Sequence, residues 1–146
     1  MKIISRSERE TENAGAELAK KLAPGAVVAL FGDLGAGKTA FVRGMCRGLG
    51  IDFPVSSPTF TVVNEYPGKI PLFHFDMYRL ASSDELFDIG WDDYLERGGV
   101  CAVEWSENVE EALDGALRIT ITKDSAEETV RTITIEGGAR FANLGL

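Results

Sequence analysis

Thiols and imidazoles are scarce in this chain: Cys46, Cys101 and His74 are its only cysteines and its only histidine. So few soft ligands, so spaced, suggest neither a zinc-type cluster nor a disulfide framework. Cys46 falls in the helix expected after residues 32–39 and Cys101 in an apolar strand candidate, ordinary places for a small buried thiol. Long apolar runs are missing too, so no segment reads as a bilayer span. The opening Met1-Lys2-Ile3-Ile4 turns polar at once and carries no secretory segment, which places the expected location in the cytoplasm. Positive charge is short: 15 basic residues against 23 acidic ones give a net charge of -8. That argues against a chain that grips nucleic acid by its overall field, though a local basic patch or a role exercised through a partner stays open. Internal repeats and low-complexity tails are also absent.

What is present suits one folded domain over residues 1–146: 45% of the residues are apolar, enough for a core without metal or disulfide support. The organising stretch is Val27-Val28-Ala29-Leu30-Phe31 followed at once by Gly32-Asp33-Leu34-Gly35-Ala36-Gly37-Lys38-Thr39. The apolar run reads as a buried strand, and the residues after it match the phosphate-loop pattern G-x-x-x-x-G-K-[ST]. Phe41, Val42, Met45 and Leu49 then recur at helical spacing. Glycines allow backbone angles and approaches that a Cβ would obstruct, so amides can converge on phosphate oxygens at the start of the helix. Lys38 supplies a mobile cation for the β- and γ-phosphates, and Thr39 a hydroxyl ligand for Mg²⁺. Asp33, inside the loop, can orient a water or hold the loop's shape.

Around this unit the chain alternates. Lys2-Ile3-Ile4 suits a short edge strand. Ser7 and Glu10 form a capping-box pattern opening a helix with Thr11, Ala14, Leu18 and Leu22 on one face, stopped by Pro24-Gly25. Residues 59–66 and 70–75 read as a hairpin around Pro67-Gly68. Short helical pieces follow near Leu86-Phe87 and from Trp91 to Leu95, and Val100-Cys101-Ala102-Val103 reads as a buried strand. Beyond a polar, acidic connection around Glu110, Glu111 and Asp114, residues 116–122, 129–136 and 140–144 alternate as half-covered antiparallel strands. The expected fold is α/β: a P-loop sheet flanked by helices, with an antiparallel β extension.

Phosphate binding alone is not hydrolysis, which also needs a placed magnesium ion and a positioned water. An acid at the carboxyl end of a neighbouring strand is the expected complement to Thr39. Glu104 and Asp76 both qualify, and each can equally cap the turn that leaves its strand. Glu104 follows the more completely apolar strand, the better neighbour for the loop strand. His74 suits a packed or hydrogen-bonded strand position at least as well as a catalytic one. Arg43, Arg47 and Arg79 are available for phosphate, partner or solvent.

The P-loop, Phe41, Arg43-Gly44, Ser57-Pro58-Thr59-Phe60-Thr61, Glu65-Tyr66, His74-Phe75-Asp76-Met77-Tyr78-Arg79-Leu80 and Glu104-Trp105, taken in order, resemble the TsaE (YjeE) family over essentially the whole chain. The resemblance implies a bacterial ATPase required for threonylcarbamoyl modification of adenosine in tRNA, acting with TsaD and TsaB. It implies ATP and Mg²⁺ as cofactors, with Gly35, Ala36, Gly37, Lys38, Thr39 and Ala40 around the phosphates. Thr39 and Glu104 would hold the metal, and Lys38, Asp76 and Glu104 would act in catalysis, with Asp76 by the γ-phosphate. Glu8 and Thr11 would close around the adenine, and residues 57–61 would form a switch-like loop. Ala40 stands where many members carry a second threonine, and Ser106 where a proline is frequent. Neither change touches the amide cradle. Two other functions use the same cradle: a P-loop small-molecule kinase, and a nucleotide-gated binding module that needs little turnover.

Overall fold

The structure, a computed structural model, describes residues 1–33, 35–52, 54–55, 63–77, 80, 82–113 and 115–137. The expected switch-like loop at 57–61, the first part of the 59–66 strand, Tyr78, Arg79, Asp114 and the 140–144 strand lie outside the described residues. The elements are β1 (Lys2–Ser5), α1 (Glu8–Ala19), β2 (Val27–Phe31), α2 (Lys38–Gly48), β3 (Val63–Tyr66) and β4 (Leu72–Asp76). They continue with α3 (Ser83–Asp88), α4 (Trp91–Glu96), β5 (Val100–Glu104), a 3-10 segment (Ser106–Leu113), β6 (Leu117–Lys123) and β7 (Arg131–Glu136).

The strands form one seven-stranded sheet in the order β1-β7-β6-β2-β5-β4-β3. β6, β2, β5 and β4 run parallel, while β7, β1 and β3 pair antiparallel at the flanks. All five residues of β2 and of β5 are buried, because helices cover both faces of the parallel centre. On one face Val28, Leu30, Leu72, Ala102 and Ile119 meet Leu18, Phe41 and Met45 of α1 and α2. On the other, Ala29, Phe31, Phe73, Phe75 and Val103 meet Leu86, Trp91 and Val109. The carboxyl ends of β2, β4, β5 and β6 therefore share one edge of the sheet, where α2 begins.

β6 and β7 are antiparallel to each other as expected, but β6 also pairs in parallel with β2 and so belongs to the central sheet. Its alternation reports which side chains are covered and is silent about the direction of the neighbouring strand. Ser7 accepts from the Glu10 amide at 3.1 Å, and Glu10 reaches back to the Arg6 amide. α1 ends at Ala19, short of Pro24-Gly25, and tight turns carry buried Leu22 into the core.

α1 and α2 cross at near backbone contact. A Cβ on Gly44 would stand 1.8 Å from the Glu12 carbonyl oxygen, one on Gly15 2.2 Å from that of Phe41, and one on Gly48 2.3 Å from that of Ala16. Glycine is required at this seam for room, the close-packing limit of any core. On the outer side of α1 an apolar groove of about 370 Å³ is lined by Met1, Ile3, Leu18 and Ile135 among others, and no P-loop residue borders it.

Candidate nucleotide site

The loop after β2 turns through Gly32, Gly35 and Gly37, with φ of 141°, 78° and 113°. A Cβ on Gly32 would also lie 2.4 Å from the Ile121 carbonyl oxygen, so that residue is glycine for both angle and space. The Ala36 amide closes on the Asp33 carbonyl at 3.0 Å. Gly37 caps α2 without a side-chain hydrogen bond, and the first turn of α2 holds no acid. The amides at that helix start are thus presented to an anion.

Lys38 and Thr39 open α2 on the buried side of the loop. The Lys38 ammonium donates to the Gly32 carbonyl at 2.7 Å and lies over the Trp105 ring, 3.9 Å from its centroid. The Thr39 hydroxyl donates toward the Glu104 carboxylate at 3.4 and 3.5 Å, long contacts that a bridging ligand can replace. Glu104 ends β5, beside the loop strand, and is only 4% exposed. Asp76 ends β4 directly opposite Glu104, and parallel pairing turns both side chains toward the α2 face. Trp105, the next residue, has φ 57° and is the one non-glycine residue with positive φ among the described residues. Strained backbone of this kind clusters at functional sites. The carboxylate of Glu104 also accepts from Nε2 of fully buried His74.

The first turn of α1 reaches the same loop. The Thr11 methyl is 3.7 Å from where a Cβ on Gly37 would be, and its hydroxyl shares a 2.7 Å hydrogen bond with that of Ser5. Glu8 and Glu12 grip Arg43 at 3.0 and 3.1 Å. The Glu12 hydrogen bond, ahead of an opposing desolvation, holds the Arg43 guanidinium above its ordinary pKa. Arg47 bonds Asn13. Both arginines therefore tie α2 to α1. Ala40 is buried.

Two cations near the loop carried no sequence signal. Arg131, at the start of β7, donates from Nε to the Ala36 carbonyl at 3.0 Å and from Nη2 to that of Gly35 at 3.5 Å. The Lys123 ammonium, at the end of β6, would lie 3.2 Å from a Cβ on Gly35. Only the place of the β6–β7 hairpin beside β2 brings them there. Among the described residues no group of three or more His, Cys, Asp or Glu is gathered for a metal. The oxygen donors at hand, the Thr39 hydroxyl and the Glu104 carboxylate, suit Mg²⁺, which keeps several waters and takes phosphate oxygens as ligands.

A glycine loop between a central parallel strand and its helix, in a mixed sheet flanked by helices, defines a P-loop NTPase. The family model "Threonylcarbamoyl adenosine biosynthesis protein TsaE" matches residues 5–133. Proteins titled "tRNA threonylcarbamoyladenosine biosynthesis protein TsaE" are similar: that of Treponema pallidum is 42% identical over 92% of this chain and 99% of its own length. That of Bacillus subtilis is 47% identical over 78% of this chain and 72% of its own. The crystal structure of Bacillus subtilis YdiB superposes with a TM-score of 0.82 at 38% identity, covering 99% of this chain and 90% of that one. The chain belongs to the TsaE family, whose members are P-loop ATPases. Among the described residues no helix is long and apolar enough to cross a membrane.

Proposed function

We propose that residues 1–146 work as one TsaE-like domain that hydrolyses ATP with Mg²⁺ in the cytoplasm, alongside TsaD and TsaB, in the threonylcarbamoyl modification of adenosine in tRNA. The observation that carries the chemistry is the meeting of Lys38, Thr39, Asp76 and Glu104 at one sheet edge. The amides of Gly35, Ala36, Gly37, Lys38, Thr39 and Ala40 hold the phosphates, and Asp33 keeps the turn closed through its carbonyl. Lys38 leaves the Gly32 carbonyl for the terminal phosphates. Thr39 and Glu104 would hold Mg²⁺, whose charge would offset that of the phosphate oxygens. Asp76, opposite Glu104, orients the attacking water, and Glu8 and Thr11 close on the adenine side. The net charge of -8 suits an accessory ATPase whose partners provide most of the tRNA surface. Arg43 is engaged by Glu8 and Glu12 and Arg131 by the loop's own carbonyls, so turnover should stay slow until the partners order the site.

Reconstitution with TsaD, TsaB, ATP, Mg²⁺ and tRNA tests this by reading phosphate release and adenosine modification together. Modification that proceeds equally well without this chain would refute the assignment. Glu104→Ala separates motor from gate: a variant that binds ATP, cannot hydrolyse it and still supports full modification makes nucleotide binding the function. Phosphorylation of a small acceptor in place of phosphate release would make the chain a kinase.

A further inference from the structure

His74 has no part in the mechanism above, and its surroundings are unusual for a buried histidine. The ring is 0% exposed on central strand β4. Nε2 bonds the Glu104 carboxylate, while Nδ1 is buried with no hydrogen-bond partner among the described residues. A histidine kept for packing in a polar network uses both nitrogens, because an orphaned buried polar atom is destabilising. Here a leucine would lose no other polar contact and would remove the orphan. Beyond a tilted ring contact with Tyr66, 6.3 Å between centroids, the imidazole adds a donor aimed at Glu104.

We infer that His74 is a positioning residue for the Glu104 carboxylate: by holding Oε2 it fixes the rotation at which both carboxylate oxygens face the Thr39 hydroxyl, at 3.4 and 3.5 Å. The sheet register makes this possible. His74 pairs with Ala102 on β5, two residues before Glu104, and the small side chain there lets the ring reach across to the strand end. Nε2 is the ring nitrogen aimed at the carboxylate, and it donates there because a carboxylate only accepts. With no exposed surface, the ring does not relay protons to solvent. It fixes one rotation of a metal-holding carboxylate, the usual task of a group bonded to a ligand from behind. The inference rests on the proposed place of Glu104 at the metal.

The test uses the chain with TsaD, TsaB and tRNA, titrating Mg²⁺ at saturating ATP for His74→Leu, His74→Asn, His74→Gln and Glu104→Gln. ATP binding in excess chelator and melting temperature are measured alongside. A glutamine amide reaches the position of Nε2, whereas an asparagine amide reaches only that of Nδ1. The expected result is a rise in half-saturating Mg²⁺ and a fall in kcat for H74L and H74N, on the order of 10–100-fold combined. Metal-free ATP binding stays unchanged, and H74Q recovers most of the loss. Equal impairment of H74Q and H74N overturns the inference, as does an unchanged Mg²⁺ dependence in H74L beside an impaired E104Q. An unaffected E104Q overturns the metal role of Glu104 and this inference with it.

Discussion

The Lys38 ammonium rests 3.9 Å from the centre of the Trp105 ring while bonded to the Gly32 carbonyl. The cation that should meet the terminal phosphates is thus parked against an aromatic face. ATP has to draw it away, changing the field at the indole. Tryptophan emission should change on adding ATP, and Trp105→Phe should abolish that change. Trp91→Phe should keep it, because Trp91 is buried edge-on against Phe75, whereas Lys38 covers the Trp105 ring. Lys38→Ala should lower turnover by roughly 10²–10³-fold, the scale for losing one electrostatic stabiliser.

Gly44→Ala reverses an ordinary expectation. Alanine in a helix interior normally stabilises by about 1 kcal/mol relative to glycine. Here the added methyl meets the Glu12 carbonyl oxygen at 1.8 Å and its carbon at 2.6 Å, both backbone atoms. The variant should lose about 1–3 kcal/mol or more by overpacking. Urea unfolding monitored by circular dichroism checks the sign.

Arg131→Met should weaken nucleotide affinity without touching a proposed phosphate ligand. Its guanidinium holds the Ala36 and Gly35 carbonyls from β7, keeping the loop's amides turned toward the phosphate side. Losing a charged hydrogen bond of about 1.4 kcal/mol corresponds to about a tenfold rise in the Kd for ATP. Arg131→Lys, which keeps charge but not the fork, should fall between. Calorimetric titration with ATP measures both.

The two thiols make the fold sensitive to alkali. Burial pushes Cys46 and Cys101 up from 9.0 to about 12. Between those values the unfolded chain releases thiol protons that the folded chain retains, so stability falls as pH rises from about 9 towards 12. Each thiol contributes a slope of about 1.4 kcal/mol per pH unit across that window. Unfolding free energies at pH 8, 9 and 10 for the natural chain and Cys46→Ala should show the smaller slope in the variant. Thiol reagents at pH 8 should label neither cysteine until denaturant is added.

The loop and the order of elements around it were legible because every signal was local: an apolar run, glycines, a lysine and a helical period. Glu104 could be placed beside the loop strand because fully apolar Val100 to Val103 suits only a central position, and β5 does pair with β2. Contacts between residues far apart in the chain were not legible. Nothing near His74 announces that its ring serves Glu104, and nothing near Arg131 announces a loop almost a hundred residues earlier. The stretch around Glu110 and Glu111 read as a polar, acidic connection, yet Ser106–Leu113 coils into a 3-10 segment that buries Val109 and Leu113. Its acids hid an apolar spacing too short for a helical period to stand out.

The glycine seam also divides the site mechanically. With backbones this close and Arg43 clamped between Glu8 and Glu12, α1 and α2 cannot slide or roll past each other. Thr11, Lys38 and Thr39 therefore sit on one stationary jaw. On the opposing side Asp76, Glu104 and the strained Trp105 stand where β4 and β5 pass into the connections that follow them. The two faces of the cleft thus belong to different parts of the fold: a bolted helix pair on one side, the ends of two parallel strands on the other.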